Sequence, residues 1–299
     1  MENKKLKRPL LVTHDSTFHA DDVFATATLA IFLNDDYELI RTRDVEIIAK
    51  ADYVYDVGGE KDFEKNRFDH HQIGGAGVRK NGIPYASFGL VWEKFGEELC
   101  GSKKVADVVG LKLVQGVDAQ DNGLDLYNPK ENVVPYVIQQ YLYSLRPTWC
   151  EEADYDGAFK EAVVLAKNIL FREIKIAKDN QEGYERVYRV YDSSKNKKLI
   201  VLNEKLPWEY ALVEKSEPQI VVALRPDGRW KAEATFVSHN SSIRRIKFPK
   251  SWAGLRDFEL QNETGVIDAV FCHNGLFMVV ALSKEGALKL AEKALESNI

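Results

Sequence analysis

Residues 9–33, PLLVTHDSTFHADDVFATATLAIFL, contain the pattern that decides the fold. Their first part, Pro9 to Val12, is a short apolar run that predicts a buried strand. The following run, HADDVFATATLAIFL, places Ala, Val, Phe, Leu and Ile at helical spacing, so His19 to Asp22 fall at the N-terminus of a helix. The stretch therefore predicts a strand followed by a helix, with histidine and aspartate at the junction.

Similar strand and helix patterns continue along the first part of the chain. Further strands are predicted at Tyr37 to Arg41 and Ala51 to Val57, and helices at about Tyr85 to Glu98 and Lys103 to Val117. Strands that alternate with helices are typical of a mainly parallel sheet wound with helices. We therefore predict an α/β fold in which a ligand binds beyond the carboxyl ends of the strands.

The sequence changes character after a long helical tract at about Asp154 to Glu182. The later part contains β-rich runs joined by turn residues: RVYRVYDS, KKLIVLN, QIVVALRPDGRWKAEATFVS and GVIDAVFCHNGLFMVVALS. Pro226-Asp227-Gly228 is the clearest hairpin turn, and a last helix is predicted at Lys284 to Leu295. We predict three parts: a catalytic domain at residues 1–150, a helical connector at 151–182, and a smaller α+β C-terminal domain for substrate binding at 183–299.

The composition fits a soluble globular enzyme. Of the 299 residues 45% are hydrophobic and 29% are charged, and no apolar run reaches the roughly 18 residues of a membrane span. Three widely separated cysteines argue against a disulfide framework or a cysteine metal site and favour a reducing cytoplasm. The net charge of −5 provides no overall basic field, so a nucleic-acid partner would need local basic patches or metal ions.

Histidine and aspartate residues recur at the predicted strand and helix ends. Each group alone is commonly structural, at a helix N-terminus, a turn or a surface loop. Together, at ends that meet at one rim, they predict a metal site. Mixed imidazole and carboxylate ligands suit Mn²⁺, Zn²⁺ or Fe²⁺, and an oxygen-rich set suits a pair of Mn²⁺ or Mg²⁺ ions best. The candidates in chain order are His14, His19, Asp21, Asp56, Asp69, His70, His71, Asp118 and Asp121.

A pair of divalent ions indicates phosphoryl-transfer chemistry. Two cations about 4 Å apart stabilise the attacking and the leaving oxygen, and one of them lowers the pKa of a bound water molecule. Two close cations need bridging anionic ligands, which explains several aspartates rather than a set of histidines alone.

Four motifs in this order, HDSTFHADDV, DVGG, FDHHQ and VDAQDNG, resemble the DHH phosphoesterase superfamily. More closely, THDSTFHADDVFATA, NGIPYASFGLVWEKFG, VDAQDNG and SWAGLRD resemble the melanocyte-proliferating-gene nuclease family, whose members are DHH-type 3′–5′ RNA exonucleases. The resemblance covers nearly the whole chain and is strongest at residues 8–125 and 249–275. It implies a DHH-type catalytic domain with two Mn²⁺ ions, or Mg²⁺ or another divalent ion, and single-stranded RNA or an oligonucleotide as substrate.

The resemblance implies metal-binding roles for the first two motifs. His14, His19 and Asp21 would be first-motif ligands, and Asp56 would bridge the two metals. The superfamily motif usually begins His-x-x-x-Asp-x-Asp, whereas here four residues separate His14 from His19. A histidine therefore stands where many relatives have a carboxylate, which would shift the metal preference.

The third and fourth motifs would complete the centre. By the same resemblance His70 would bind metal, Asp69 would orient it or its neighbour, and His71 would face the scissile phosphate as acid or charge stabiliser. The fourth motif is ambiguous, because Asp121 matches the superfamily's Asp-Thr-Gly while Asp118 ends the preceding apolar run. We favour Asp121 as the ligand and keep Asp118.

The C-terminal part contains candidates for substrate contact. Arg244 and Arg245 lie beside serines in SSIRRIK, and arginine forks suit phosphate oxygens, although solvated basic residues are an equal alternative. Trp252, in the family-like motif SWAGLRD, is a candidate for stacking on a base. His273 is a further candidate for substrate contact. It lies in CHNG, which stands where the family has the glycine-rich end of its C-terminal motif.

Two other functions stay open. A small-molecule phosphohydrolase acting on pyrophosphate or a dinucleotide would use the same metal centre. A non-catalytic RNA-binding protein would keep an idle centre, although an unused site has no need for so many unpaired carboxylates. The sequence indicates no membrane association, and it is compatible with a dimer without predicting the oligomeric state.

Overall fold

The computed structural model describes residues 7–128, 131, 133–239 and 241–297. The chain divides into two units, residues 1–178 and 179–299, and each unit contains one five-stranded sheet. The mixed α/β class predicted from the sequence is confirmed.

The strands of the first unit are β1 (Leu10–Thr13), β2 (Glu38–Arg41), β3 (Tyr53–Tyr55), β4 (Lys61–Asp62) and β5 (Arg67–Phe68). They lie in the order β2-β1-β3-β5-β4, with β4 antiparallel to β5 and the other neighbours parallel. Leu11, at the centre of β1, pairs with Leu39 on one side and Tyr53 on the other. The carboxyl ends of β1, β2, β3 and β5 therefore meet at one edge of the sheet.

The helices of the first unit are α1 (Ala20–Phe32), α2 (Val45–Lys50), α3 (Ser87–Cys100), α4 (Lys103–Val109), α5 (Gln115–Asp121) and α6 (Ile138–Tyr143), with a π-helical turn at Gly110–Val114. The predicted helix from Lys103 thus continues through this turn and ends four residues later than expected. Helices α1 and α3 pack together, with the buried rings of Phe24 and Phe88 stacked 5.1 Å apart. Burial of such a ring stabilises the fold by about 1.5–3 kcal/mol.

Helix α7 (Tyr155–Ser193) is longer than predicted. The run RVYRVYDS was expected to form a strand, but it forms the last two turns of this helix. Valine and tyrosine favour strands, yet Val187 and Tyr191 are four residues apart and both buried, with Tyr184 and Tyr188 partly buried in the same cluster. Burial of one helical face therefore overrides the local strand preference.

The second unit contains β6 (Leu199–Leu202), β7 (Ile220–Leu224), β8 (Trp230–Ala234), β9 (Ala269–Cys272), β10 (Met278–Ala281), α8 (Trp208–Val213), α9 (Asp257–Thr264) and α10 (Lys284–Glu296). Its sheet order is β6-β7-β8-β10-β9, with only β6 and β7 parallel. The predicted hairpin turn joins β7 to β8, where Gly228 has a φ of 81° that favours glycine.

Among the helices of the described residues, none is both long and apolar enough to cross a membrane. The roles assigned to residues 1–150, 151–182 and 183–299 stay predictions.

Candidate metal centre

Three strands of the first sheet end at the same edge, and each is followed by an imidazole or a carboxylate. His14 follows β1, Asp56 follows β3, and Asp69 begins the DHH tripeptide after β5. Asp56 has a φ of 55°, in the left-handed region that aspartate tolerates better than most residues. Such strained positions cluster at functional sites, which marks Asp56 as a candidate functional residue.

Asp56 lies at the centre of the cluster, close to two imidazoles. Its Oδ2 lies 3.1 Å from His14 Nε2, and its Oδ1 lies 3.2 Å from His70 Nε2. The same His70 nitrogen lies 3.2 Å from Asp121 Oδ2 and 3.6 Å from Asp21 Oδ2. The edge of the sheet, the start of α1 and the end of α5 thus bring together residues that are far apart in sequence.

The start of α1 contributes His19 and a residue that the sequence analysis did not select, Asp22. The backbone N–H of His19 donates to Asp22 Oδ1 at 2.9 Å, which caps the helix. The other oxygen of Asp22 lies 3.3 Å from His14 Nε2, and the residue is completely buried. Its position beside Asp21 in the first helical turn was the available signal in the sequence.

Four overlapping groups of three side chains could hold a metal ion, because their ligand atoms lie within 4.8 Å of one another. Asp56 belongs to three of these groups, so it is the common carboxylate. An arrangement of this kind suits two adjacent ions joined by a bridging ligand. The groups are His14, His19 and Asp56; Asp56, His70 and His71; His19, Asp21 and Asp121; and Asp21, Asp22 and Asp56.

Several buried polar atoms of the cluster form no hydrogen bond within the part of the chain that the structure describes. They are Asp21 Oδ1, Asp22 Oδ2, Asp56 Oδ2 and His70 Nε2. A buried carboxylate oxygen without a hydrogen bond is costly, and such atoms in native proteins are commonly explained by water or an ion. The donor set, rich in oxygen and completed by imidazole nitrogen, fits a divalent cation.

The carboxylates at the start of α1 are driven toward the neutral form when no cation is present. Burial and the charge of Asp56 raise the pKa of Asp21 well above its usual range. The same two causes raise the pKa of Asp22 to about 8. A bound cation would oppose both shifts, because positive charge favours the ionised carboxylate.

Asp56 and His70 have the opposite electrostatic balance. Burial acts to raise the pKa of Asp56, but the adjacent imidazoles of His14 and His70 outweigh it and the net shift is downward. Burial likewise disfavours the charged form of His70, but Asp121 and Asp56 outweigh it and raise its pKa to about 10. Without metal, the protonated His70 therefore partly neutralises the carboxylates that a cation would neutralise.

Asp69 organises the DHH tripeptide. Its Oδ1 accepts hydrogen bonds from the backbone N–H groups of His70 and His71 at 2.7 and 3.1 Å, and lies 2.8 Å from His71 Nδ1. Its Oδ2 accepts a hydrogen bond from Gly59 N. Contact with Asp69 raises the pKa of His71 despite its partial burial, and the side chain of His71 is 61% exposed. Asp69 therefore fixes the ring of His71 at the surface of the cluster.

Asp118 does not join any of these groups, whereas Asp121 does. Asp118 Oδ2 accepts a hydrogen bond from Arg79 Nη2 at 2.6 Å, and its Oδ1 accepts one from Gly89 N at 2.9 Å. Burial raises the pKa of Asp118 to about 7, against the opposing effect of Arg79. Of the two fourth-motif candidates, Asp121 thus lies at the cluster, and Asp118 joins the loop of Arg79 to α3.

The candidates of the second unit have partners within the protein. Arg244 Nη1 donates to Ala234 O at 2.6 Å and lies 3.2 Å from Glu233 Oε1. Arg245 donates to Pro218 O and Val213 O, each at 2.8 Å. These contacts hold the loop after β8, and a role of either arginine in substrate binding stays a prediction.

The predicted stacking of Trp252 on a base does not fit the structure. Trp252 is only 4% exposed and packs in the core of the second unit near Phe248. His273 is more accessible, and its Nδ1 accepts a hydrogen bond from Gly275 N at 2.9 Å while its ring lies 4.2 Å from that of Phe277. A substrate contact by His273 stays a prediction.

Two further residues beside the cluster were missed from the sequence. Ser87, the first residue of α3, is buried, and its N–H and Oγ lie 3.3 Å from Asp21 Oδ2 and 3.4 Å from Asp56 Oδ1. Arg43, two residues after β2, lines a pocket of about 360 Å³ that also contains His14 and His71. The signal for Arg43 was its place after a parallel strand, at the rim already selected for the acidic residues.

The fold and the cluster define a mixed α/β protein with a buried histidine and aspartate site able to hold divalent metal ions. The chain belongs to the MYG1 family, described as "Uncharacterised protein family (UPF0160)", which matches residues 10–295. The motifs that resemble the melanocyte-proliferating-gene family therefore led to the correct family.

Relatives of the chain match along most of their lengths. A MYG1 protein of Chlamydia pneumoniae is 32% identical over 95% of this chain and 96% of its own. The MYG1 exonuclease of Homo sapiens is 28% identical over 98% of this chain and 87% of its own. A solved exopolyphosphatase-related protein from Bacteroides fragilis covers 98% of this chain and 93% of its own, but a TM-score of 0.24 and 10% identity support no statement about the fold.

Proposed function

We propose that the chain is a divalent-metal-dependent phosphodiesterase of the DHH type, acting as a 3′–5′ exonuclease on RNA or short single-stranded oligonucleotides. The observation that carries the proposal is the position of Asp56 in three overlapping metal-binding groups. The name exonuclease given to relatives that match almost the whole chain supports nucleic acid as the substrate. The preference for RNA, the 3′–5′ direction and the DHH assignment rest on the motif resemblance.

In this proposal the four overlapping groups would hold two Mn²⁺ ions, or Mg²⁺. The residues that would hold them are His14, His19, Asp21, Asp56, His70 and Asp121, with Asp22 beside them. When bound, such ions neutralise charge on the phosphoryl oxygens and make water more acidic. Ser87 would hold Asp21 and Asp56 in place through the contacts of its N–H and Oγ.

The exposed imidazole of His71 would serve the reacting phosphate directly. Asp69 lies 2.8 Å from its Nδ1 and so leaves Nε2 as the nitrogen that can reach substrate. The raised pKa of His71 favours the protonated ring, which can stabilise a phosphate oxygen or donate a proton to the leaving oxygen. Asp69 would act through His71, as the group that orients it.

The test is a metal-titrated assay on 5′-labelled single-stranded RNA, DNA of the same sequence, and pyrophosphate. We expect stepwise shortening of RNA from its 3′ end with Mn²⁺, with the label kept on the shortened products. His70→Ala should abolish the shortening, whereas Asp107→Asn, which removes an exposed carboxylate of the same unit, should not.

Failure to shorten RNA, together with hydrolysis of pyrophosphate, would replace the exonuclease by a small-molecule phosphohydrolase. Binding of RNA without hydrolysis of any substrate would favour the non-catalytic alternative. In that case His70→Ala should leave RNA binding unchanged.

A further inference from the structure

Three arginines lie near the rim of the first sheet, and two of them are engaged in structural contacts. Arg41 is nearly buried, with Nη1 2.7 Å from Asp156 Oδ1 and Nη2 donating to Ser16 O at 2.7 Å. Arg146 donates to Phe18 O and lies against the ring of Tyr143. These contacts tie loops and helices of the first unit together.

Arg43 differs from both because its side chain is 64% exposed. Its only ion pair with a described residue joins Nε to Asp15 Oδ1 at 3.3 Å, and Asp15 is itself 52% exposed. Such a pair contributes at most about 1 kcal/mol, so a stronger anion can replace it. The guanidinium nitrogens of Arg43 form no hydrogen bond with the described residues.

The backbone around Arg43 is fixed although the side chain is exposed. Thr42 N donates to Thr13 O at 2.8 Å, which extends the pairing of β2 with β1. Asp44 N donates to Thr42 Oγ1 at 3.1 Å, and Asp44 caps the following helix through Glu46 N at 2.8 Å. The arginine is therefore held at the carboxyl edge of the sheet, where the candidate ligands lie.

The pocket that Arg43 lines has the composition of a phosphate-binding site next to a metal centre. Its wall includes His14, His19, Asp56 and His71 from the cluster and the glycine pair Gly58-Gly59. An arginine fork can bind two oxygens of one phosphate group, and it keeps its charge at any physiological pH. The carboxylates of the cluster would repel a polyanion, so a cation beside them is needed on electrostatic grounds.

We infer that Arg43 binds a non-bridging oxygen of the phosphate next to the reacting one in an oligonucleotide substrate. This inference rests on the proposed function and adds to it a residue that distinguishes a nucleotide chain from a substrate with one phosphodiester. Arg43 is a binding and positioning residue, and the reacting groups stay those of the cluster.

The experiment compares wild type, Arg43→Gln and Arg43→Lys, with Arg8→Gln as the matched control. Arg8 is also exposed and paired through Nε to one aspartate, Asp36, at 2.9 Å, but it precedes β1 and so lies at the opposite edge of the sheet. Binding of labelled single-stranded RNA is measured by anisotropy with Ca²⁺ at several salt concentrations, and kcat and KM are measured separately with Mn²⁺.

Arg43→Gln should weaken binding and raise KM about tenfold, with a smaller change in kcat. The slope of log affinity against log salt should fall by about 0.7, the value for one phosphate of a single strand. Arg43→Lys should restore the slope but only part of the affinity, because an ammonium cannot form the fork. Arg8→Gln should leave both quantities as in wild type.

A methylphosphonate placed at each position of the RNA identifies the phosphate. When the methylphosphonate replaces the phosphate next to the reacting one, Arg43→Gln should cause no further loss of RNA affinity. When it replaces any other phosphate, Arg43→Gln should still lower the affinity. If Arg43→Gln and wild type have the same affinity for RNA and the same salt slope, the inference is overturned even if the enzyme is active. The inference is also overturned if the wild-type protein does not bind RNA. Wild type that binds RNA through Arg43 but hydrolyses none would overturn only the proposed function.

Discussion

Two buried carboxylate sites in the first unit differ in how their charge is balanced. At the first, Asp118 has a partner for each oxygen, Arg79 for one and Gly89 N for the other. At the second, Asp56 and its neighbours retain buried oxygens without a hydrogen bond among the described residues. Both sites are buried and both were selected from the sequence, so burial and residue type do not separate them. The buried oxygens without a hydrogen bond do, because a bound cation would satisfy them where the described residues do not.

The arginines show the same distinction between structural and available charge, now for positively charged side chains. Arg244 and Arg245 donate to carbonyl oxygens of their own unit, so their charge is already used in holding a loop. With the residues that the structure describes, Arg43 forms only an exposed ion pair at the edge of the candidate metal centre. For acidic and basic side chains alike, a functional role is indicated where contacts within the protein leave the side chain available to a ligand.

The largest expected effect is the loss of activity in Asp56→Asn. Removal of the carboxylate common to three metal-binding groups should lower kcat/KM by more than about 1,000-fold, beyond the 10–100-fold cost of losing an outer-shell partner. The metal-free variant should unfold at a lower urea concentration than wild type, because His14 and His70 lose the carboxylate whose ionised form they stabilise. Unchanged kcat/KM in folded Asp56→Asn would contradict a catalytic role of the groups that share Asp56.

Asp118→Ala should lower stability but leave metal binding intact. It leaves the largely buried Arg79 without its carboxylate, and loss of one member of a buried ion pair costs about 3 kcal/mol of unfolding free energy. The measurement is urea unfolding of metal-free protein, followed by Mn²⁺ titration of the folded variant. Folded Asp118→Ala should still bind Mn²⁺, and a variant that is stable but binds no Mn²⁺ would transfer the fourth-motif role to Asp118.

A smaller effect is expected at Gly89, where a Cβ would lie only 1.8 Å from Asp118 Oδ2. Gly89→Ala should therefore lower the free energy of unfolding by about 1–3 kcal/mol through overpacking. Gly116→Ala is the matched control, since its Cβ would meet nothing within 4 Å and alanine favours a helix. It should stabilise the protein slightly, and equal effects of the two variants would contradict the close approach at Asp118.

The smallest expected effect is a dependence of metal-free stability on pH. The pKa of Asp22 is raised to about 8 and that of His70 to about 10, so the folded state binds more protons than the unfolded state at neutral pH. Stability in EDTA should therefore fall, by on the order of 1 kcal/mol, as the pH rises from about 7 to 9. With Mn²⁺ the loss should be smaller because the cation takes the place of the protons. Unfolding midpoints at both pH values, with and without Mn²⁺, measure this difference.

The sequence predicted ranges for β1, β2 and β3 of the first sheet, because these follow apolar runs, but none for the two-residue strands β4 and β5. Apolar runs and helical spacing located β1, β3 and α1, and the parallel arrangement placed His14, Asp56 and His70 at one edge. RVYRVYDS was wrongly expected to be a strand, because strand-favouring residues also formed a helical face that only the tertiary structure buries. Trp252 was proposed to stack on a base, but it is buried, and burial depends on neighbours that the local sequence does not show.

Within the site, residue type and order were predictable and charge balance was not. The DHH tripeptide and Asp21 in the first turn of α1 could be selected from chemistry and position alone. The separation of Asp121 from Asp118 depended on Arg79, which approaches from another loop. Asp22, Ser87 and Arg43 were missed because each has an ordinary local role, as a helix cap, a helix start or a loop residue.

The most direct test of the central claim is the number of Mn²⁺ ions bound per chain in wild type, Asp56→Asn and exposed-site Asp107→Asn, measured by titration calorimetry and metal analysis. The account predicts about two ions for wild type and Asp107→Asn, and at most one weakly bound ion for Asp56→Asn. Equal binding by wild type and Asp56→Asn would contradict a metal centre built around Asp56.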